Sequence, residues 1–168
     1  MDKERSIQIS SWAIEGHELG VISDETFKDL ELLTAFYYKN YDYFDTAIHE
    51  ASHELGGAEF GWKGKVSIHP EGSVKGVTRF SLPNHSDETL IFESAVISFC
   101  SLAGEELFGI SHEGCAGDIG HVRRLSRIPG FEGLESNSRR EASRVISGIG
   151  INRIRQRAWK HLADEIGV

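Results

Sequence analysis

Phe44-Asp45-Thr46-Ala47-Ile48-His49-Glu50-Ala51-Ser52-His53-Glu54-Leu55-Gly56-Gly57 is the stretch on which the fold turns. Asp42 or Asp45 offers an N-cap, and Gly56-Gly57 is the residue type that ends helices in a left-handed conformation, so the segment predicts a helix. With ~100° per residue and Phe44 at zero, Ala47, Ile48, Ala51 and Leu55 fall at about 300°, 40°, 340° and 20°. His49 and His53 fall at about 140° and 180°, on a face otherwise holding Asp45, Thr46 and Gly56. The histidines therefore leave the apolar stripe, which argues against packed core histidines. Metal ligands and solvated histidines both stay open. As ligands they make sense mechanically: residues four apart share a helix face one turn apart, so two imidazoles grip one metal while the intervening Glu50 reaches its bound water. At this composition an HExxH pattern arises by accident roughly 0.04 times per chain, so the motif alone is moderately specific.

Outward from this helix, Ser23 and Asp24 predict the cap of an earlier one continuing through Phe27, Leu30, Leu33 and Phe36. The Tyr37, Tyr38, Tyr41 and Tyr43 cluster reads as core and rim packing, with an oxyanion-contacting phenol as the alternative. Downstream, Lys65 to His69 and Gly76 to Phe80 alternate and are β-branched around Pro70-Glu71-Gly72-Ser73, which predicts a small antiparallel hairpin. Asp87 to about Phe108 is helical and strongly apolar, predicting the buried centre, with Glu105 and Glu106 closing it. A glycine-containing loop, Gly109 to Gly117, leads into Asp118 and a helical pattern through Leu125. Beyond the Pro129-Gly130 break, Ser138 to Ile146 and Ile151 to Ile166 predict two surface helices. The expected fold class is mainly α with a small β-hairpin (α+β), the HExxH helix at its core, in a single domain over residues 1–168.

At 168 residues the chain suffices for one hydrophobic core. No apolar run approaches the ~18 residues of a membrane span, and MDKERSIQIS lacks the apolar h-region of a secretory signal, so the expected location is cytoplasmic. Cys100 and Cys115 lack CxxC spacing and are expected as free thiols. The net charge of −8 conceals a basic end: Ile119 to Val168 carries ten Lys/Arg against five Asp/Glu, which is +5 and leaves −13 elsewhere. Acids lie between its arginines, the pattern of solvated helices rather than of nucleic-acid binding.

Thr46 to Asp118 resembles the protease domain of the FtsH family of ATP-dependent zinc metalloproteases. Four blocks appear in the family's order: HEASH; Val66-Ser67-Ile68-His69-Pro70-Glu71-Gly72 with Gly76-Val77-Thr78; Ala103-Gly104-Glu105-Glu106-Leu107-Phe108-Gly109; and Gly117-Asp118. The resemblance implies one zinc ion per chain held by His49, His53 and Asp118, with Glu50 as the catalytic carboxylate. Three protein ligands leave a fourth position for water, as a catalytic zinc requires. Glu105 is the runner-up ligand or an outer-shell group orienting a histidine.

This sequence departs from the family pattern at Ser52, where HEAGH has glycine, and in a short loop whose His112, Glu113 and Cys115 can all bind zinc. His121, one turn beyond Asp118, is a rival third ligand. Within these 168 residues no Walker-type loop, AAA-plus module or membrane anchor is read, so the resemblance is expected to cover the family's protease part alone. The expected function is zinc-dependent hydrolysis of peptide bonds in unfolded or flexible polypeptides, with Glu50 taking a proton from water and delivering it to the leaving amine. The substrate would lie along the exposed edge of the hairpin. Further partners would be a separate ATPase or other copies of the chain, and the alternative is a non-catalytic zinc-binding domain docking on a partner protease or ATPase. His17, His69, His85 and His161 carry no assignment.

Overall fold

Ser23 is extended and its hydroxyl accepts from the Thr26 amide, so it caps α1 (Asp24–Lys28) as the sequence predicts. The computed structural model describes residues 13–68, 75–110 and 112–166, the side chains of 30–42, 112, 113, 165 and 166 excepted. The helix does not run on through Leu30: Asp29, at φ −106 and ψ 112, interrupts it, and α2 (Leu30–Ala58) starts one residue later. Leu30, Leu33, Phe36 and Tyr37, Tyr38 and Tyr41 lie outside the described side chains.

The site-bearing helix differs from expectation at both ends. It spans 29 residues with no new start at Asp42 or Asp45. No glycine or proline precedes those aspartates within the helix, and once a helix is nucleated each further residue adds a bond at little cost. It also runs through Gly56 and Gly57. A Cβ on Gly56 would strike Cys100, and one on Gly57 would strike the Phe80 ring, so these glycines admit neighbouring elements. Termination falls to Gly61, left-handed at φ 81, where Trp62 N bonds Gly57 O and Gly61 N bonds Ala58 O in a Schellman arrangement.

The chain then enters β1 (Lys63–Ile68), antiparallel to β2 (Gly76–Ser81), with Val66 opposite Thr78. The Pro70 to Ser73 turn and His69 lie outside the described residues. Ser86 caps α3 (Asp87–Phe108) by accepting from the Thr89 amide, and Gly109, left-handed at φ 66, ends it. Ala95, Val96, Phe99, Cys100 and Leu102 are buried, so α3 is the centre its sequence predicts. A 3-10 turn (His112–Cys115) feeds α4 (Ala116–Ser126), which places Asp118 in the first helical turn.

α5 (Leu134–Ile149) and α6 (Ile151–Ile166) are separated by Gly150 at φ 88. The expectation of two surface helices is corrected here: α5 starts at Leu134, not Ser138, and both contribute to the core. Leu134, Ala142 and Ile146 of α5 and Ile154, Ala158, Trp159 and Leu162 of α6 are buried with Phe44 and Ile48 of α2. Polar opposite faces concealed this role. The basic end is largely neutralised locally, since Arg123, Arg139, Arg144, Arg153, Arg155 and Arg157 each stand within ion-pair distance of a carboxylate. Cys100 and Cys115 are free and buried. Among the described residues no helix is long and apolar enough to cross a membrane.

Candidate metal centre

Helix α2 is buried at every position from Ala47 to Gly57 except the partly exposed His49, against α3, α6 and the hairpin. The apolar stripe predicted at Phe44, Ala47, Ile48, Ala51 and Leu55 is in the core. His49 and His53 face neither that core nor open solvent. Their side chains are 12% and 10% exposed and look into a cleft of about 350 Å³, whose lining includes Glu50, Thr78, Ser94 and Asp118. The structure thus sets aside both the packed-core and the solvated reading of the two histidines.

Each imidazole is held from behind. His53 Nδ1 donates to Ile97 O at 2.8 Å, an atom that can only accept. His49 Nδ1 donates to Glu105 Oε1 at 2.9 Å, and Glu105 Oε2 accepts from Cys115 Sγ at 2.9 Å. In the neutral rings, protonation at Nδ1 leaves each Nε2 with a lone pair for a cation in the cleft. Those two nitrogens are 3.2 Å apart, and Asp118 Oδ2 stands 3.2 Å from one and 3.4 Å from the other. Ser101 Oγ donates to the same Asp118 oxygen at 3.0 Å.

Three electron-rich atoms converging at this spacing repel one another unless a proton or a metal cation lies among them. A tetrahedral ion with bonds of ~2.0–2.1 Å has ligand-to-ligand edges of roughly 3.3 Å, which the three separations match. His49, His53 and Asp118 therefore form a group able to hold a metal ion. The protonation behaviour agrees. Burial works against charge on His49, but its hydrogen bonds with Asp118, Cys115 and Glu105 and the charge of Glu50 prevail and push its pKa up to about 12. Burial likewise disfavours ionised Asp118, and its bonds with His49 and His53 overcome that and hold its carboxyl far below the usual carboxylate range. Both shifts express a strong preference for positive charge among these atoms.

His49, Glu105 and Cys115 form a second group of potential ligand atoms. Burial pushes the Cys115 thiol up, which suits it as a proton donor to Glu105. Hydrogen bonding already accounts for this group, and Glu105 stands behind His49 in the orienting position. His121 does not join the triangle; its Nε2 bonds Ser94 Oγ at 3.0 Å. The side chains of His112 and Glu113 lie outside the described residues.

Glu50 is 5% exposed, and its Oε2 accepts from Thr78 Oγ1 at 2.6 Å. A Cβ on Gly76 would crowd Glu50 and Thr46, so the start of β2 passes directly over this carboxylate. Ser52 bonds back to Ile48 O and abuts Gly104, clear of the metal group.

Sequence reasoning did not find Thr78, Ser101 or Ile97 O. One signal existed: Ser94, Ser98, Ser101 and Glu105 lie at i, i+4, i+7 and i+11, a polar stripe along an otherwise apolar helix. That stripe faces the site. Compared with family models, curated proteins and solved structures, the chain matches none of them.

Proposed function

We propose that this chain is a zinc-dependent endopeptidase acting on unfolded or flexible polypeptides, with His49, His53 and Asp118 as ligands and Glu50 as general base. The observation that carries the reading is the triangle of His49 Nε2, His53 Nε2 and Asp118 Oδ2 at 3.2–3.4 Å, each imidazole fixed through its other nitrogen. Two imidazole nitrogens and one carboxylate oxygen at tetrahedral spacing suit zinc, and three protein ligands leave one position for a reactant. Zinc, when bound, supplies Lewis-acid activation of water and of a peptide carbonyl.

The remaining work falls to the chain's own residues. Thr78 ties Glu50 Oε2, leaving Oε1 as the oxygen that takes a proton from water and returns it to the leaving amine. β2 pairs with β1 along one edge only, and no other strand lies on its second edge among the described residues. An extended peptide adding along that edge reads backbone rather than sequence, and Gly76 to Thr78 bring it past Glu50. Main-chain pairing of this kind needs an extended segment, hence a flexible substrate. The FtsH-family resemblance of the four sequence blocks supports the same assignment.

Metal analysis of the purified chain and hydrolysis of unstructured casein test the proposal together. About one zinc per chain is expected, with Glu50→Gln lowering kcat by about 10²- to 10⁴-fold while keeping the metal. Absence of bound zinc, or a Glu50→Gln variant as fast as the parent, overturns it.

A further inference from the structure

The serine stripe on α3 has one member that behaves differently. Ser98 Oγ donates to Ser94 O, and Ser101 Oγ is shared between Ser98 O and Asp118, the usual return of a helical hydroxyl to its own backbone or to a neighbouring acceptor. Ser94, which lines the cleft, instead turns its Oγ to another helix and meets His121 Nε2 at 3.0 Å. The two residues flank the metal group in a regular way. Ser94 lies one turn before Ile97, whose carbonyl fixes His53; His121 lies one turn after Asp118.

A serine hydroxyl has one hydrogen and two lone pairs. When His121 donates its Nε2–H to Ser94 Oγ, the serine hydrogen is released to point into the cleft. It then offers a donor within the cavity that also holds Glu50 and the three ligand atoms. Glu50 and Asp118 are acceptors, so they cannot stabilise negative charge growing on a substrate oxygen. A hydroxyl backed by an imidazole can.

We propose that Ser94 is a catalytic hydrogen-bond donor to the carbonyl oxygen of the peptide bond being cleaved, and that His121 is the positioning residue that turns its hydrogen toward the cleft. The role adds no bond-making step; the hydrogen bond shortens as the carbonyl oxygen gains charge and relaxes when it leaves. The inference rests on the peptidase reading above, and the test keeps the two apart.

Steady-state hydrolysis of an unstructured peptide is measured for the parent, Glu50→Gln, Ser94→Ala, Ser94→Thr, His121→Leu and His121→Gln, with zinc content determined for each. Ser94→Ala lowers kcat by about 10²-fold at nearly constant KM and with zinc retained, the size of effect seen for a single oxyanion donor. Ser94→Thr, which keeps a hydroxyl, restores most of the rate. His121→Leu lowers kcat by about tenfold, and His121→Gln, whose amide nitrogen can reach the Nε2 position, recovers it. Turnover that requires Glu50 but is unchanged in Ser94→Ala overturns this inference alone. So does a Ser94→Ala variant that loses its zinc, or a His121→Gln variant no better than His121→Leu. A parent with no Glu50-dependent turnover removes the peptidase reading, and this inference with it.

Discussion

Ile97 O accepts the Nδ1–H of His53 at 2.8 Å, so one imidazole of the metal group is aimed by the backbone of a different helix. His49 is aimed by a side chain, Glu105. The asymmetry makes only one of the two clamps removable by substitution. Glu105→Ala should weaken zinc binding by about 10- to 100-fold, the range for outer-shell partners of a ligand histidine. Competition with a fluorescent chelator measures it. An affinity equal to the parent's would remove Glu105 from this role.

Asp118 and His121 share a face of α4, but only Asp118 reaches both histidines. Dialysed Asp118→Ala should retain almost no zinc, whereas His121→Gln should retain about one ion per chain. Elemental analysis of the two variants side by side decides the third ligand, and the reverse result would move it to His121.

Glu54 follows His53 in sequence yet turns to α6, where it accepts from Arg157 Nε at 2.9 Å and meets Arg157 Nη2 and His161 Nε2. Burial opposes ionised Glu54, but these partners hold its pKa at about 2, below the ordinary 4.5. The folded-state pKa is depressed, so the stabilisation is fully present above about pH 4.5 and is lost as pH falls toward 2. Glu54→Gln should destabilise the fold by about 2 kcal/mol near neutrality. That lies under the ~3–5 kcal/mol of a fully buried pair, because the Arg157 side chain is 36% exposed. The gap in Tm between parent and variant should narrow as pH drops from 4.5 toward 2, and a constant gap would refute the assignment.

Helices α2 and α3 meet at Ser52 and Gly104 so closely that a Cβ at position 104 would collide with the serine side chain. Gly104→Ala should cost about 2 kcal/mol by overpacking despite its better helix propensity. Because the clash is with Ser52 itself, the Ser52→Gly/Gly104→Ala double variant should recover part of that loss. Denaturant unfolding of both single variants and the double one gives the coupling energy, and strict additivity would exclude the contact.

Much of this fold is legible in the residues, for stated reasons. Ser23 signals a helix start through local chemistry, and the alternation around Val66 and Thr78 announces the hairpin. The apolar stripe of Phe44, Ala47, Ile48, Ala51 and Leu55 is buried as its spacing implies. Aspartates at 42 and 45 mislead, since a capping residue inside an uninterrupted helical run has no break to cap. Gly56 and Gly57 mislead too: a glycine chosen for close approach looks in sequence like one chosen for a left-handed turn, and only the neighbour, Cys100 or Phe80, tells them apart. At the candidate site His49, Glu50 and His53 are visible because their spacing has a mechanical meaning, whereas Asp118 is expected only through the family resemblance. Thr78, Ser101 and Ile97 O reach the site through tertiary contact, and a backbone carbonyl has no sequence signature at all.

Asp118 lies 65 residues beyond His53, on a helix that reaches α2 across the cleft. A cation gripped by both is a reversible crosslink, closing a long loop much as a disulfide would but at a strength set by the free ion concentration. At 100 times the dissociation constant such a link adds about 2.7 kcal/mol to the folded state. For this chain a chelator would then act as a mild denaturant, and the melting temperature would serve as a gauge of metal supply.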